Sequence, residues 1–161
     1  MKLIPNIVPA ANGLRLSVLG DQQCIKLTGQ DTNGLFTLVE QLNSPGTGIP
    51  RHVHTQEDET FHVQEGLVEY EVDGAVTTLG AGDLAYVPRG VAHSFRVVGS
   101  TPARVLVSIF PAGAEHMFQE LAQLPAGPPD FPVVAEICGR YGITFLYARA
   151  RGQCLRPEVR S

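Results

Sequence analysis

The chain is short of the features that mark specialised protein classes. Cysteine is scarce: Cys24, Cys138 and Cys154 are widely spaced and form no Cys-x-x-Cys pair. That argues against both a thiolate metal site and a disulfide framework. Positive charge is in deficit, with 12 Lys and Arg against 16 Asp and Glu, for a formal net charge of −4. No basic field therefore draws the chain to nucleic acid or to an acidic membrane. The local exception is the C-terminus, where Arg149, Arg151, Arg156 and Arg160 surround Glu158; it reads as a solvated, flexible tail over 148–161. No segment approaches the roughly 20 apolar residues of a membrane span. The opening MKLIPNIVPAANG, interrupted by Pro5 and Pro9, has too short an apolar run for a secretory leader. A cytoplasmic location is the expectation, with neither nucleic acid nor membrane as partner.

What is present is a globular composition: 161 residues, 43% hydrophobic and 17% charged, the size of a single domain over 1–161. Seventeen glycines and twelve prolines cut residues 14–110 into short β-like runs. These are Leu14–Leu19, Gln23–Thr28, Leu35–Leu42, Arg51–His54, Thr60–Gln64, Leu67–Val72, Ala75–Leu79, Leu84–Val87, Ala92–Val98 and Ala103–Phe110. Asp73-Gly74 is the clearest hairpin signal. Many short strands at regular spacing predict an all-β barrel or sandwich. After Pro111 the period changes. Ala114–Leu124 places Met117, Phe118, Leu121 and Leu124 on one helical face. A second helix starts at an Asp130 cap, has Pro132 in its first turn and an apolar stripe of Val133, Val134, Ile137 and Tyr141, and stops at Gly142. The expected architecture is a β-barrel over about 14–110 with two helices, in an extension over about 111–147, packed on it.

Three of the five histidines fall in two short segments, 46–66 and 82–97. In a strand, alternate side chains share a face, so His52 and His54 project together and Val53 points away. Glu57, Asp58 and Glu59 follow. Asp58 has the wrong parity and Glu57 falls in the loop, which leaves Glu59, on the face of Phe61 and Val63. His93 opens a later strand on the face of Phe95 and Val97. Neutral imidazole and carboxylate are ligands of divalent transition metals. The candidate metal set is therefore His52, His54, Glu59 and His93. His62 has parity opposite to Glu59, and His116 lies on the first helix; neither is assigned as a ligand. Phe61, Tyr70, Phe95 and Phe118 are candidates to line a substrate pocket, with ordinary core as the alternative for each.

The spacing of these segments resembles the two signature motifs of the cupin superfamily. Gly46, His52, His54, Glu59 and Gly66 match the first; Gly82, Pro88, Gly90 and His93 match the second, with Val97 where the family often has Asn. The segment GRYGITFL at 139–146, after a Pro-rich link, is similar to small single-domain bacterial cupins described as quercetin dioxygenase-like. The resemblance implies a small cupin barrel (a double-stranded β-helix, or jelly-roll), a homodimer, and one divalent transition metal ion per chain. Side-chain identity does not choose among Fe, Mn, Ni, Cu, Co and Zn. It also implies a metal-dependent dioxygenase for a small aromatic or enolic substrate, with Glu59 as both ligand and proton acceptor. Two alternatives need no oxygen: a metal-dependent isomerase, lyase or hydrolase, and a non-catalytic binder of a small ligand. No helix-turn-helix precedes the barrel, so a self-contained transcription factor is not expected.

Overall fold

The computed structural model describes residues 5–146. The arginine-rich tail and Cys154 lie outside the described residues. Among the described residues eleven strands and three helices follow one another. The first strands are β1 (Leu14–Val18), β2 (Asp21–Leu27), β3 (Thr37–Asn43), β4 (Gly48–His54), β5 (Asp58–Glu65) and β6 (Leu67–Val72). Then come β7 (Ala75–Leu79), β8 (Leu84–Val87), β9 (His93–Val98), β10 (Ala103–Phe110) and β11 (Ile143–Phe145). The helices are α1 (Gly29–Thr32), α2 (Ala114–Leu121) and α3 (Phe131–Arg140).

The strands form two antiparallel sheets. One has the order β1-β2-β3-β10-β5-β8 and the other β11-β4-β9-β6-β7. This is the jelly-roll that the resemblance implies. Among the described residues the hydrogen-bonded ladders do not close into a continuous barrel, so the architecture is two facing sheets. Alternation sets the core: in β10, Ala103, Val105, Val107 and Ile109 are buried while the residues between them are half-exposed. Asp73 (φ 50°) and Gly74 (φ 84°) both take positive φ in the β6–β7 hairpin, as a two-residue primed turn requires. At Gly48 a Cβ would lie 2.0 Å from the Phe95 carbonyl oxygen; glycine there lets β4 approach β9.

Two expectations need correction. Strand β4 begins at Gly48, three residues before the expected start, and runs through Pro50. It does so because the β4–β9 register shifts between Ile49 and His52. Such a bulge leaves residues unpaired, so the missing proline N–H breaks no ladder bond. The segment after Pro111 is also not purely helical. After α3 the chain returns as β11, pairing Ile143 with His54 and Phe145 with His52. Three residues are too few to carry a readable strand period.

Helix α2 buries Ala114, Met117, Phe118 and Leu121, the i, i+3, i+4, i+7 stripe of an amphipathic helix. Each large side chain contributes roughly 1.5–3 kcal/mol by leaving water. The helix is pinned by Glu115, itself buried. Its carboxylate accepts hydrogen bonds from the Gly29 N–H at 2.7 Å, from the Gly113 N–H at 2.9 Å and from the Thr37 hydroxyl. The acceptor thus serves the N-termini of α1 and α2, where negative charge is favoured, and ties both to β3. Burial would raise its pKa, but the Thr37, Gly29 and Gly113 donors outweigh that and hold it below 4.5. A lowered folded pKa stabilises the fold fully above pH 4.5, and the contribution disappears as pH falls through the folded value. Glu115→Ala is expected to cost about 2–4 kcal/mol at pH 7. Denaturant titrations at pH 7 and pH 3 should show the gap to the parent narrowing in acid; an equal gap at both values would refute the carboxylate's role.

Candidate metal centre

Each ligand candidate is placed by its own local structure. The β4–β9 bulge turns His52 inward beside His54, two residues on, and His52 lies opposite His93 in the ladder. Glu59 comes from β5 on the facing sheet. All four side chains are buried, and one ligand atom from each lies within 4.8 Å of every other. The Glu59 Oε2 atom is 3.0 Å from His93 Nε2 and 3.4 Å from His54 Nε2. The His52 and His93 ring centroids are 4.2 Å apart.

The outer nitrogens are held from behind. His52 Nδ1 is 2.8 Å from the Pro50 carbonyl oxygen, and His93 Nδ1 is 3.1 Å from that of Val91. A carbonyl only accepts, so each Nδ1 carries the proton and each Nε2 presents its lone pair to the centre. His54 Nδ1 instead faces Glu57 Oε2 at 3.4 Å, an ion-pair separation without hydrogen-bond alignment, since neither atom has a hydrogen-bond partner among the described residues. Asp58, with its opposite parity, points away from the centre. It accepts from the backbone N–H and the guanidinium of Arg89 at 2.9–3.0 Å. Those bonds hold its pKa down at about 2 and tie the Glu59 segment to the turn that leads to His93.

Electrostatics suits a cation. Burial, reinforced by the neighbouring imidazoles, lowers the His52 pKa to about 4, so this ring is neutral at pH 7. Burial would raise the Glu59 pKa, but His93, His54 and His52 outweigh it and keep the carboxylate ionised. Burial also opposes a charge on His54, yet Glu57 and Glu59 raise its pKa. The Glu59 Oε2 and His93 Nε2 atoms are fully buried with no hydrogen-bond partner among the described residues, which is costly unless something else satisfies them. First-row metals bind imidazole and carboxylate at about 2.0–2.2 Å, placing ligand atoms no more than about 4.4 Å apart. The observed set reaches such a sphere with a contraction of a few tenths of an ångström. The residues fit one divalent metal ion, whose identity the donor set leaves open.

The centre opens on a cavity of about 370 Å³, within the range of small-molecule sites. Of the pocket candidates, Phe61, Phe95 and Phe118 line it. Tyr70 does not: it packs behind the wall, 5.2 Å from the Phe61 ring and 5.8 Å from that of Phe95. His62 sits half-buried on the outward side of β5, and His116 is exposed. Sequence reasoning missed Glu57 as a partner of His54, although its carboxylate had been weighed as a ligand. It also missed Phe145, whose ring lies 5.8 Å from His52 and 5.2 Å from Phe131. Only the pairing of β11 with β4 brings Phe145 there.

Comparisons with known proteins agree with this geometry. The cupin domain model matches residues 40–109. The chain is 30% identical over 94 residues to quercetin 2,3-dioxygenase of Bacillus subtilis, covering 58% of this chain and 28% of that protein. It therefore spans little more than a quarter of that relative's length. It is 30% identical over 113 residues to the polyketide synthase CurC of Streptomyces cyaneus, covering 68% of this chain and 72% of that protein. Among solved structures, KdgF from Halomonas sp. superposes with a TM-score of 0.63 at 18% identity, over 70% of this chain and 99% of that one. At that identity the likeness establishes the fold.

Elemental analysis of the purified protein is expected to find a transition metal, and His54→Ala and Glu59→Ala to lose it; unchanged content in both variants would sink the site. Glu57→Gln removes the charge beside His54 Nδ1 and should weaken metal affinity by about 10- to 100-fold. Competition with a chelating dye measures this, and wild-type affinity would show that Glu57 does not act on the centre.

Proposed function

We propose that this chain, which belongs to the cupin superfamily, is a metal-dependent dioxygenase acting on a small aromatic or enolic substrate. The observation that carries the reading is the buried set of three imidazoles and one carboxylate at the end of a largely apolar cavity. The relatives' names support it, since one of them is a quercetin dioxygenase.

His52, His54, Glu59 and His93 would hold the ion, which supplies Lewis acidity and, if redox-active, a route for electrons between substrate and oxygen. The protein's own part is positioning, desolvation and proton transfer. Nδ1 contacts to Pro50, Val91 and Glu57 fix the directions of the three rings. Phe61, Phe95 and Phe118 offer an apolar wall to a flat substrate body. Met117, Phe118 and Leu121 bring one face of α2 onto the cavity and exclude water from it. Glu59 Oε2 stands where it can accept the proton of an acidic enol or phenol as that oxygen enters the site.

The test is oxygen uptake by protein loaded separately with iron, manganese, nickel, copper or cobalt, against a panel of flavonols, catechols and enolic diketones. Uptake that is lost in Glu59→Ala and coincides with substrate cleavage is the expected result. Turnover of a substrate by the zinc form without oxygen would instead indicate Lewis-acid chemistry, and no uptake with any metal would overturn the dioxygenase reading.

A further inference from the structure

The inner face of the six-stranded sheet changes character along its strands. Along β3 the buried residues run Thr37, Val39, Gln41 and Asn43. The ladder places Glu59 opposite Ile109, and Ile109 opposite Thr37. Four residues further on, Val63 lies opposite Val105, Val105 opposite Gln41, and Gln41 opposite Gln23. At roughly 3.4 Å per residue, the carboxamide row starts about 14 Å along the strands from the row of Glu59. Gln23, Gln41 and Asn43 line the same cavity as His52, His54 and Glu59.

Two of these side chains each bury one polar atom that nothing among the described residues satisfies. Gln23 is 8% exposed and Asn43 1%, yet Gln23 Oε1 and Asn43 Nδ2 are fully buried atoms with no hydrogen-bond partner among the described residues. Each costs about as much as a lost hydrogen bond, an expense that a purely structural core avoids by using apolar residues. Between them they leave one acceptor and one donor unmet, and a hydroxyl group can serve both. Among the described residues no Lys or Arg lines the cavity, and Asp21, which also lines it, is an acid whose Oδ1 already accepts from the Thr47 hydroxyl at 3.1 Å. A phosphate or carboxylate at that end would meet no counter-charge.

We propose that Gln23 and Asn43, at the end of the cavity remote from the histidines, form a subsite that reads a neutral hydroxyl group. It makes the site selective for elongated aromatic molecules that carry a metal-binding oxygen at one end and a hydroxyl at the other. The near end of this assignment rests on the dioxygenase reading; the far end rests on the unpaired amides.

The probes are quercetin and 3-hydroxyflavone, which share the hydroxy-ketone end but differ in that only quercetin bears hydroxyls elsewhere. Titrated without oxygen into metal-loaded protein, quercetin is expected to bind about tenfold tighter or more, the worth of one or two buried hydrogen bonds. Gln23→Met and Asn43→Leu should shrink that ratio to about threefold or less, leaving metal content and 3-hydroxyflavone affinity unchanged. Equal binding of the two flavonols by the parent, or an unchanged ratio in both variants, would overturn the subsite. A ligand-free arm separates this from the dioxygenase reading. Removing an unpaired buried amide should raise the thermal midpoint by about 2–4 °C in at least one variant. If neither flavonol binds, that substrate class fails for the centre, while the amides are still judged by the midpoint. A rise supports the subsite, and an unchanged or lowered midpoint in both variants assigns the amides to structure and refutes it.

Discussion

The rest of the structure is organised around a carboxylate, Glu59, buried among three imidazoles. An ionised group away from water is stable only when something nearby compensates it. Here the donors that would share a compensating cation with it come from the opposite sheet: His52 and His54 from β4, His93 from β9. The jelly-roll is what allows these strands to face β5. The β4–β9 bulge precedes His52, and the Asp58–Arg89 tie joins the Glu59 segment to the turn before His93. The Nδ1 contacts then turn the imidazoles so that their lone pairs converge where Glu59 ends.

Two buried glutamates show how the same side chain serves structure in one place and chemistry in another. Glu115 accepts from two backbone N–H groups and a hydroxyl, so its charge is spent within the fold, holding α1 and α2 to the sheet. Glu59 keeps an oxygen without a hydrogen-bond partner in a cavity. The first carboxylate sets the position of the helix that covers the second. Stability and site are thereby coupled, because the face of α2 carrying Met117 and Phe118 is also part of the cavity wall.

The cavity has a direction of its own. Ligand atoms and aromatic rings stand at one end, and carboxamides with unmet hydrogen-bonding capacity at the other. A core selected for stability alone would fill this space with Val and Leu, as strands β5 and β10 of the same sheet do at Val63, Val105 and Val107. Replacing such residues with Gln23, Gln41 and Asn43 gives up stability for polar groups that a bound molecule can reach. Local departures of this kind from a consistent core are expected where function resides.

Much of this was legible in the sequence. Turn and breaker residues marked out the ten strands of residues 14–110, and period-two alternation gave the inward parity of His52, His54, Glu59 and His93, because a strand's side-chain period is a local property of the backbone. Capping chemistry likewise placed α3 between Asp130 and Gly142. Tertiary structure alone decided the pairing of Ile143–Phe145 with the histidine strand, the role of Glu57 behind His54, the exclusion of Tyr70 from the cavity, and the meeting of Gln23 with Gln41. These depend on which strand lies beside which, and on the register between them. Register is set by packing across the two sheets, through contacts between residues dozens of positions apart, and no local period in the chain records it.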